Sequence, residues 1–148
     1  MTIEVKSSTY KGIRSIEPDV CEMYGIQLQL GEDGKPVRYA YKYPHTVKYR
    51  MFNDKSKSWV KDRGLGMNML FGPEFNAGSS NRIYITEGEF DAASLYQILG
   101  KTFPVKSLPS ASIGEKFIKH NHAYLSSFKE LVYAGELDDA GRRAADKL

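Results

Sequence analysis

The sequence predicts an α/β protein in which a Rossmann-like parallel sheet follows a smaller, β-rich and basic half. Residues 82–148 alternate short apolar runs with stretches of helical spacing, joined by short links, a pattern typical of βαβ units. Residues 24–60 instead alternate apolar and polar residues in runs separated by polar turns, which indicates antiparallel strands. The composition, 41% hydrophobic and 26% charged over 148 residues, is that of a folded globular chain.

The N-terminal half is predicted to contain one short helix followed by strands. In "SIEPDVCEMYG", Pro18 suits the first turn of a helix and Gly25 its C-terminal end. The runs "YGIQLQL" and "VRYAYKYP" flank the turn "GEDGKP" and predict a hairpin over residues 24–43. "TVKYRMF" predicts a third strand, and a short extended piece is expected around Trp59.

The C-terminal half is predicted to alternate three strands with three helices. The strands are "RIYIT", "FPVKSL" and "ELVYAG", and the helices are "GEFDAASLYQILG", "GEKFIKHNHAYLSSF" and "DDAGRRAADKL". The segment "GPEFNAGSSN", rich in Gly, Ser and Asn, precedes them. We therefore expect two domains, a β-rich basic subdomain of residues 1–78 and a second domain of residues 79–148.

Several classes of protein are excluded or disfavoured by the composition. No apolar stretch approaches the roughly 18 residues that a membrane span requires, and the N-terminus "MTIEVKSSTYKG" lacks the apolar segment of a signal peptide. The lone Cys21 allows neither an internal disulfide nor a multi-cysteine zinc site. A cytoplasmic protein with a packed, unreactive thiol and no membrane partner is expected.

Positive charge is concentrated in the N-terminal half. The net charge is only +3, but residues 35–63 carry many cations against only Asp54 and Asp62. These cations are Lys35, Arg38, Lys42, Lys48, Arg50, Lys55, Lys57, Lys61 and Arg63. Such a stretch suits a polyanionic ligand, and a solvated, lysine-rich β-surface explains it equally well.

Carboxylates follow two of the predicted parallel strands. Glu87 comes directly after the first strand of the second half, and Glu136 and Asp138 come directly after the third. The carboxyl ends of parallel strands share one edge of a sheet, so these acids are expected to converge there and to hold Mg²⁺ or Mn²⁺. Glu89 and Asp91 are expected to stabilise the N-terminus of the helix that follows instead.

These motifs resemble a known family. "TEGEFDA" followed by "ELDDAGRRAA" is similar to the Toprim domain of primases, topoisomerases, some nucleases and recombination proteins. The upstream segments "YKGIRSIEPDVCEMYGI", "VKYRMFNDKSKSW" and "LFGP" resemble the primase half of the bifunctional primase–helicases of short-tailed phages and the mitochondrial helicase Twinkle. The chain ends before the usual fourth Toprim strand, so a C-terminally incomplete Toprim domain and a fragment of a longer primase–helicase are expected.

The resemblance implies roles for individual residues. Glu87 matches a glutamate that acts as metal ligand or general base, and Asp138 matches the second aspartate of an Asp-x-Asp pair. Glu136 occupies the first position of that pair, where the family has the shorter aspartate. Lys48, Arg50 and Lys57 match basic positions that contact nucleotide phosphates or template in such primases. Lys61 is a further candidate for holding phosphates, and Trp59 is expected to stack on a base because aromatic rings beside cations serve that purpose in single-strand binding. Since Lys48 and Arg50 share one side of a strand, Tyr49 between them is expected to pack inward.

The resemblance also implies an activity. The expected protein is a primase core, a nucleotidyltransferase that uses Mg²⁺ or Mn²⁺ to join ribonucleoside triphosphates into short RNA primers on single-stranded DNA. It would work beside a replicative helicase, in the same or another chain, in the cytoplasm of a phage-infected bacterium. Two alternatives remain open. A Toprim nuclease could use the same acids, and the change at Glu136 also suits a non-catalytic DNA-binding fragment.

Overall fold

The computed structural model of the chain describes residues 4–54, 56–61, 68–76, 81–110, 113–135 and 146–148. The chain forms two compact units, Met1–Leu65 and Gly66–Leu148. The predicted third helix of the second half falls largely outside the described residues, as do Glu136 and Asp138. The division into domains at residues 78 and 79 stays a prediction.

The first unit contains a five-stranded antiparallel sheet in the order β1-β2-β3-β4-β5. Its strands are β1 (Ser7–Thr9), β2 (Ile26–Leu30), β3 (Pro36–Lys42), β4 (Val47–Met51) and β5 (Ser58–Val60). The hairpin, the third strand and the extended piece at Trp59 are therefore confirmed. Strand β1 was not predicted, because its short Ser-Ser-Thr sequence carries no apolar alternation to reveal it.

The two faces of this sheet differ in burial. One face, which we call the inner face, carries the buried residues of β2 and β3, each 8% exposed or less. They are Ile26, Leu28, Tyr39 and Tyr41. The opposite face, which we call the outer face, carries larger side chains that are half-buried or exposed. They are Gln27, Gln29, Arg38 and Lys42. Because side chains alternate along a strand, every residue of β4 and β5 can be assigned to one face from its partner.

A single short helix, α1 (Pro18–Tyr24), precedes β2. It begins at Pro18, as predicted, and ends at Gly25, whose φ of 71° is left-handed and whose N–H is bonded to carbonyls of the last turn. A Cβ at Gly25 would stand 2.9 Å from Cβ of Lys42, so both the backbone angle and the close approach require glycine. Cys21 is fully buried, and burial raises the pKa of its thiol to about 11, with a contribution from Asp19.

The second unit contains a three-stranded parallel sheet in the order β7-β6-β8. Its elements are β6 (Arg82–Thr86), α2 (Glu89–Ile98), β7 (Val105–Ser107), α3 (Glu115–Ser126) and β8 (Glu130–Ala134). Two strand–helix–strand connections are thus present, and the predicted α/β class is confirmed. Its core includes Ile83, Ile85, Leu108 and Phe117. Within the described ranges, no helix has the length and apolarity to cross a membrane.

One cation is buried in the second unit. Lys106 lies on β7 in register with Ile85 and is only 7% exposed. Its ammonium nitrogen lies 5.1 Å from the centre of the Tyr124 ring. Burial lowers the pKa of Lys106 from 10.5 to about 8, although the charge of Glu74 partly opposes this shift. The folded chain therefore releases this proton more readily than the unfolded chain does.

We predict that Lys106→Met stabilises the chain in a pH-dependent way. Below pH 8 both states carry the proton, and the folded state bears the cost of a buried charge. Between pH 8 and 10.5 only the unfolded chain keeps the proton, so stability of the natural protein rises with pH through that window. Replacement should therefore raise the free energy of unfolding by about 1–3 kcal/mol near neutral pH.

Urea unfolding of both proteins at neutral pH and above pH 10.5 measures this effect. The gain should shrink at the higher pH. The matched control is Lys119→Met on the exposed side of α3, where Lys119 pairs with Glu115; no gain is expected there. An equal gain for Lys106→Met at both pH values would contradict the assignment of the cost to charge burial.

Candidate functional site

Glu87 lies at the carboxyl edge of the parallel sheet. It is the first residue after β6, the strand that pairs with β7 on one side and β8 on the other. The register places Thr86 beside both Ser107 and Ala134, so all three strands end together. Glu136 is the second residue after Ala134 in the sequence. Ligands of open α/β sheets bind at this edge, where neighbouring connections run to opposite sides.

The turn that carries Glu87 is held by specific hydrogen bonds. Thr86 is 1% exposed, and its hydroxyl donates to the carbonyl of Gly88 at 3.0 Å. The N–H of Leu108 donates to the carbonyl of Thr86 at 2.9 Å. These bonds fix the backbone on both sides of Glu87, whose half-buried carboxylate is therefore presented from a defined position.

The two other acids of this segment lie in the first turn of α2. Gly88 is the N-cap and supplies no side-chain bond to the helix. Glu89 is 3% exposed and Asp91 is exposed. Oδ2 of Asp91 lies 2.9 Å from the position that a Cβ on Gly88 would occupy, so this carboxylate leans over the helix terminus. Their positions suit acids that complement the helix dipole, but the burial of Glu89 was not predicted.

The donor set at this edge is one of oxygen atoms. Among the described residues, no three His, Cys, Asp or Glu side chains form a group that could hold a metal ion. Glu136 and Asp138 lie outside those residues, and their roles as metal ligands stay predictions. Glu87 supplies a carboxylate, which is the type of ligand that Mg²⁺ and Mn²⁺ prefer.

Lys48 and Arg50 share one side of β4, as predicted, but it is the inner side. Lys48 pairs with Tyr41 and Arg50 with Tyr39, and Lys48 is only 9% exposed. The prediction that Tyr49 packs inward is wrong, because Tyr49 pairs with Ala40 and Trp59 on the outer face. An aromatic ring between two cations suggested the opposite orientation. Long aliphatic stems allow Lys and Arg to be buried along apolar surface.

Arg50 contains an unsatisfied donor. Its Nε is buried and has no hydrogen-bond partner in the part of the chain that the structure describes. A buried polar group without a partner costs about 1–3 kcal/mol, and such groups are rare in folded proteins. A guanidinium binds carboxylate or phosphate oxygens with paired donors, so this side chain is suited to an anion.

The other predicted binding residues belong to the outer face. Trp59 pairs with Tyr49, with their ring centres 5.4 Å apart. Lys57 and Lys61 lie just outside the two ends of β5, each two residues from Trp59, and both are exposed. Nζ of Lys57 lies 4.0 Å from a carboxylate oxygen of Asp54. The five residues predicted to bind nucleotide or DNA are thus distributed over two faces of one sheet.

Arg38 was not among the predicted site residues. Its guanidinium carbon lies 4.0 Å from the centre of the Tyr49 ring and 5.6 Å from that of Trp59. Its Nε donates to the amide oxygen of Gln29. Arg38 belongs to the basic run, but only the pairing of β3 with β4 and of β4 with β5 reveals that it shares a side with both rings.

We predict that Arg50→Met does not destabilise the protein. Methionine keeps an unbranched side chain and removes a buried donor that has no partner among the described residues. The free energy of unfolding should therefore stay the same or rise by about 1 kcal/mol. Urea unfolding measures it. The matched control is Arg82→Met, because Arg82 donates to Glu130 at 2.9 Å and to Tyr84 at 3.3 Å. A larger loss for Arg50→Met than for the control would contradict the prediction.

Comparison with known proteins shows what parts of the chain are similar to. Residues 84–148 match the Toprim-like family model. The chain is 30% identical over 136 residues to a DNA helicase/primase of Enterobacteria phage T3, a match that covers 90% of this chain and 24% of that protein. The chain thus spans about a quarter of the length of this relative.

Two solved structures have the same fold. The first is the primase fragment of the bacteriophage T7 primase-helicase, with a TM-score of 0.77, 22% identity and coverage of 99% of this chain and 64% of that one. The second is the T7 lagging-strand DNA polymerase with primase domains bound to an RNA/DNA hybrid and dTTP. There the TM-score is 0.78 and the identity 23%, over 95% of this chain and 73% of that one.

Proposed function

We propose that this chain, whose residues 84–148 match the Toprim-like family model, is a primase core that extends RNA primers on single-stranded DNA. The observation that carries the proposal is the position of Glu87. It lies at the carboxyl edge of the parallel sheet, where β6 and β8 end side by side. Two cations on the inner face of the first unit, the buried Lys48 and the partly buried Arg50, supply a second element that suits a nucleotide.

The proposed reaction joins two nucleotides. The 3′-hydroxyl of a template-paired nucleotide attacks the α-phosphate of an incoming ribonucleoside triphosphate, and pyrophosphate leaves. Glu87 acts as a metal ligand or accepts the proton of the attacking hydroxyl, and Glu136 and Asp138 are its proposed partners. Mg²⁺ or Mn²⁺ bound there would neutralise the triphosphate and stabilise the attacking and leaving oxygens.

The cations of the first unit are proposed to hold phosphates. Arg50 can bind two oxygens at once through its planar group, and its buried Nε has no partner within the described residues. Lys48 adds a compact charge on the same face. In this proposal the carboxylates act at the reacting atoms, and the cations position the triphosphate or the template strand.

The biological setting is part of the same proposal. The phage T3 relative is described as a helicase/primase, so a replicative helicase in the same or another chain is the proposed partner. Single-stranded DNA and ribonucleoside triphosphates are the proposed substrates. The proposed location is the cytoplasm of a phage-infected bacterium.

Primer extension tests the role of Glu87. The assay combines the protein, Mg²⁺ or Mn²⁺, labelled ribonucleotides and a single-stranded template with a short annealed oligoribonucleotide. Glu87→Gln keeps the size of the side chain and removes its charge, so we expect extension to fall by about 100-fold or more. The matched control is Asp91→Asn, which removes the same charge from the first turn of α2 and should retain activity.

The other outcomes separate the alternatives. Cleavage of the template in place of extension would identify a Toprim nuclease. Glu136, where the primase family has aspartate, is the feature that favours this alternative. Neither product, with salt-sensitive binding of DNA retained, would identify a non-catalytic DNA-binding fragment. Equal extension by the natural protein and by Glu87→Gln would refute the role proposed for this carboxylate.

A further inference from the structure

The segment that leads towards β6 is anchored to β7, the outermost strand on one side of the described parallel sheet. Leu70 and Phe71 are buried, at 3% and 0% exposure. Phe71 forms an isolated antiparallel bridge with Ser107. Its N–H donates to the Ser107 carbonyl at 2.8 Å, and its carbonyl accepts from the Ser107 N–H at 2.9 Å. The backbone is therefore firmly held as far as residue 71.

Residues 73–76, which we call the flap, follow this anchor. Gly72, between the two, has a φ of 125°, a backbone angle that glycine adopts and residues with a Cβ rarely do. The flap contains neither helix nor strand. The hydroxyl of Tyr124 on α3 accepts from the N–H of Phe75 at 3.3 Å and donates to its carbonyl at 3.1 Å. The ring of Phe75 also lies 6.0 Å from that of Tyr96 on α2. A short segment with a glycine joint and few bonds is suited to open separately from the core.

The buried amine of Lys106 lies beside the residue that holds the flap. Its nitrogen is 5.1 Å from the centre of the Tyr124 ring, whose hydroxyl binds the flap. Glu74 belongs to the flap, is exposed, and acts on the amine through its charge. Lys106 itself is only 7% exposed. Because Tyr124 contacts both the amine and the flap, release of the flap from Tyr124 gives water access to the amine.

The closed flap favours the neutral form of this amine. Burial lowers the pKa of Lys106 to about 8, whereas a lysine in water titrates near 10.5. Among the described residues that face the amine, Glu74 of the flap favours the charged form. Tyr124 of α3 stays a neutral phenol, because burial raises its pKa, and Ile85 of β6 does not titrate. A charged amine therefore favours the open flap, in which it is solvated.

We infer that residues 73–76 form a flap that swings about Gly72, closes over Lys106 when its amine is neutral and opens when that amine is protonated. Opening frees the segment that leads towards β6 from Tyr124, while Phe71 stays paired with Ser107. This switch lies within the second unit and involves none of the residues assigned to the proposed reaction. It therefore stands or falls independently of the primase activity.

The difference between the two amine states sets the size of the effect. At about pH 7 the amine is mostly protonated whether the flap is open or closed. At about pH 9 it is mostly neutral in the closed flap and still protonated in the open one. The ratio of open to closed flap should therefore fall by about 10-fold between these two pH values.

Hydrogen exchange of the Phe75 amide measures this ratio, because its N–H is bonded to Tyr124 in the closed flap. Quenched-flow exchange read by NMR gives a protection factor, which removes the intrinsic dependence of exchange on pH. We expect the protection of Phe75 to rise by about 10-fold from about pH 7 to about pH 9. Lys106→Met should abolish this rise. The matched control Lys119→Met, on the exposed side of α3, should retain it.

Low concentrations of urea separate opening of the flap from unfolding of the whole unit. The reference amide is that of Tyr84 on β6, which donates to the carbonyl of Pro104 at 2.9 Å. Opening of the flap exposes little surface, so the protection of Phe75 should be lower than that of Tyr84 and insensitive to urea. The protection of Tyr84 should fall as urea is added.

Four results would overturn the inference. They are exchange of Phe75 at the unprotected rate, protection of Phe75 that follows that of Tyr84 in urea, protection that does not change with pH, and a pH dependence that persists in Lys106→Met. The first would show that the flap is not closed, and the second that it does not open by itself. The last two would show that the amine does not control it.

Discussion

The parallel pairing of β6 with strands on both sides is the constraint on which the second unit depends. With β7 and β8 in register at Thr86, the three strands end at one level. The bond from Leu108 to the carbonyl of Thr86 ties the next loop to the same edge. The backbone of Glu87, one residue beyond β6, is therefore held in a fixed position, although its side chain is only half-buried. The order of the strands, more than any local property of Glu87, determines where that carboxylate lies.

Most of the fold was readable from the sequence because its periodicity was clear. The alternation in "YGIQLQL" and "VRYAYKYP" matched β2 and β3, and the strand–helix pattern after residue 81 matched the parallel sheet. The helix α1 was predicted from Pro18 and Gly25, whose backbone preferences act locally. Strand β1 was not predicted because it is held by pairing with β2 and has no apolar–polar alternation of its own.

The candidate sites were less readable. Alternation along "VKYRM" predicted which residues share a side of the strand. It could not predict which side is buried, because that depends on pairing with the buried Tyr39 and Tyr41 on the neighbouring strand. The role of Arg38 was hidden for the same reason, since its contacts reach across two strands. Lys106 shows the same limit. An isolated lysine in "FPVKSL" gives no sign that tertiary packing removes it from water.

Gly25 has a consequence for the way the end of α1 meets the sheet. Its missing side chain lets the helix end approach β3, where the backbone N–H of Lys42 donates to the Gly25 carbonyl at 2.9 Å. An added Cβ would stand 2.9 Å from Cβ of Lys42, so a larger residue would push the strand away from the helix end. A substitution at Gly25 therefore changes the helix terminus and the neighbouring strand together.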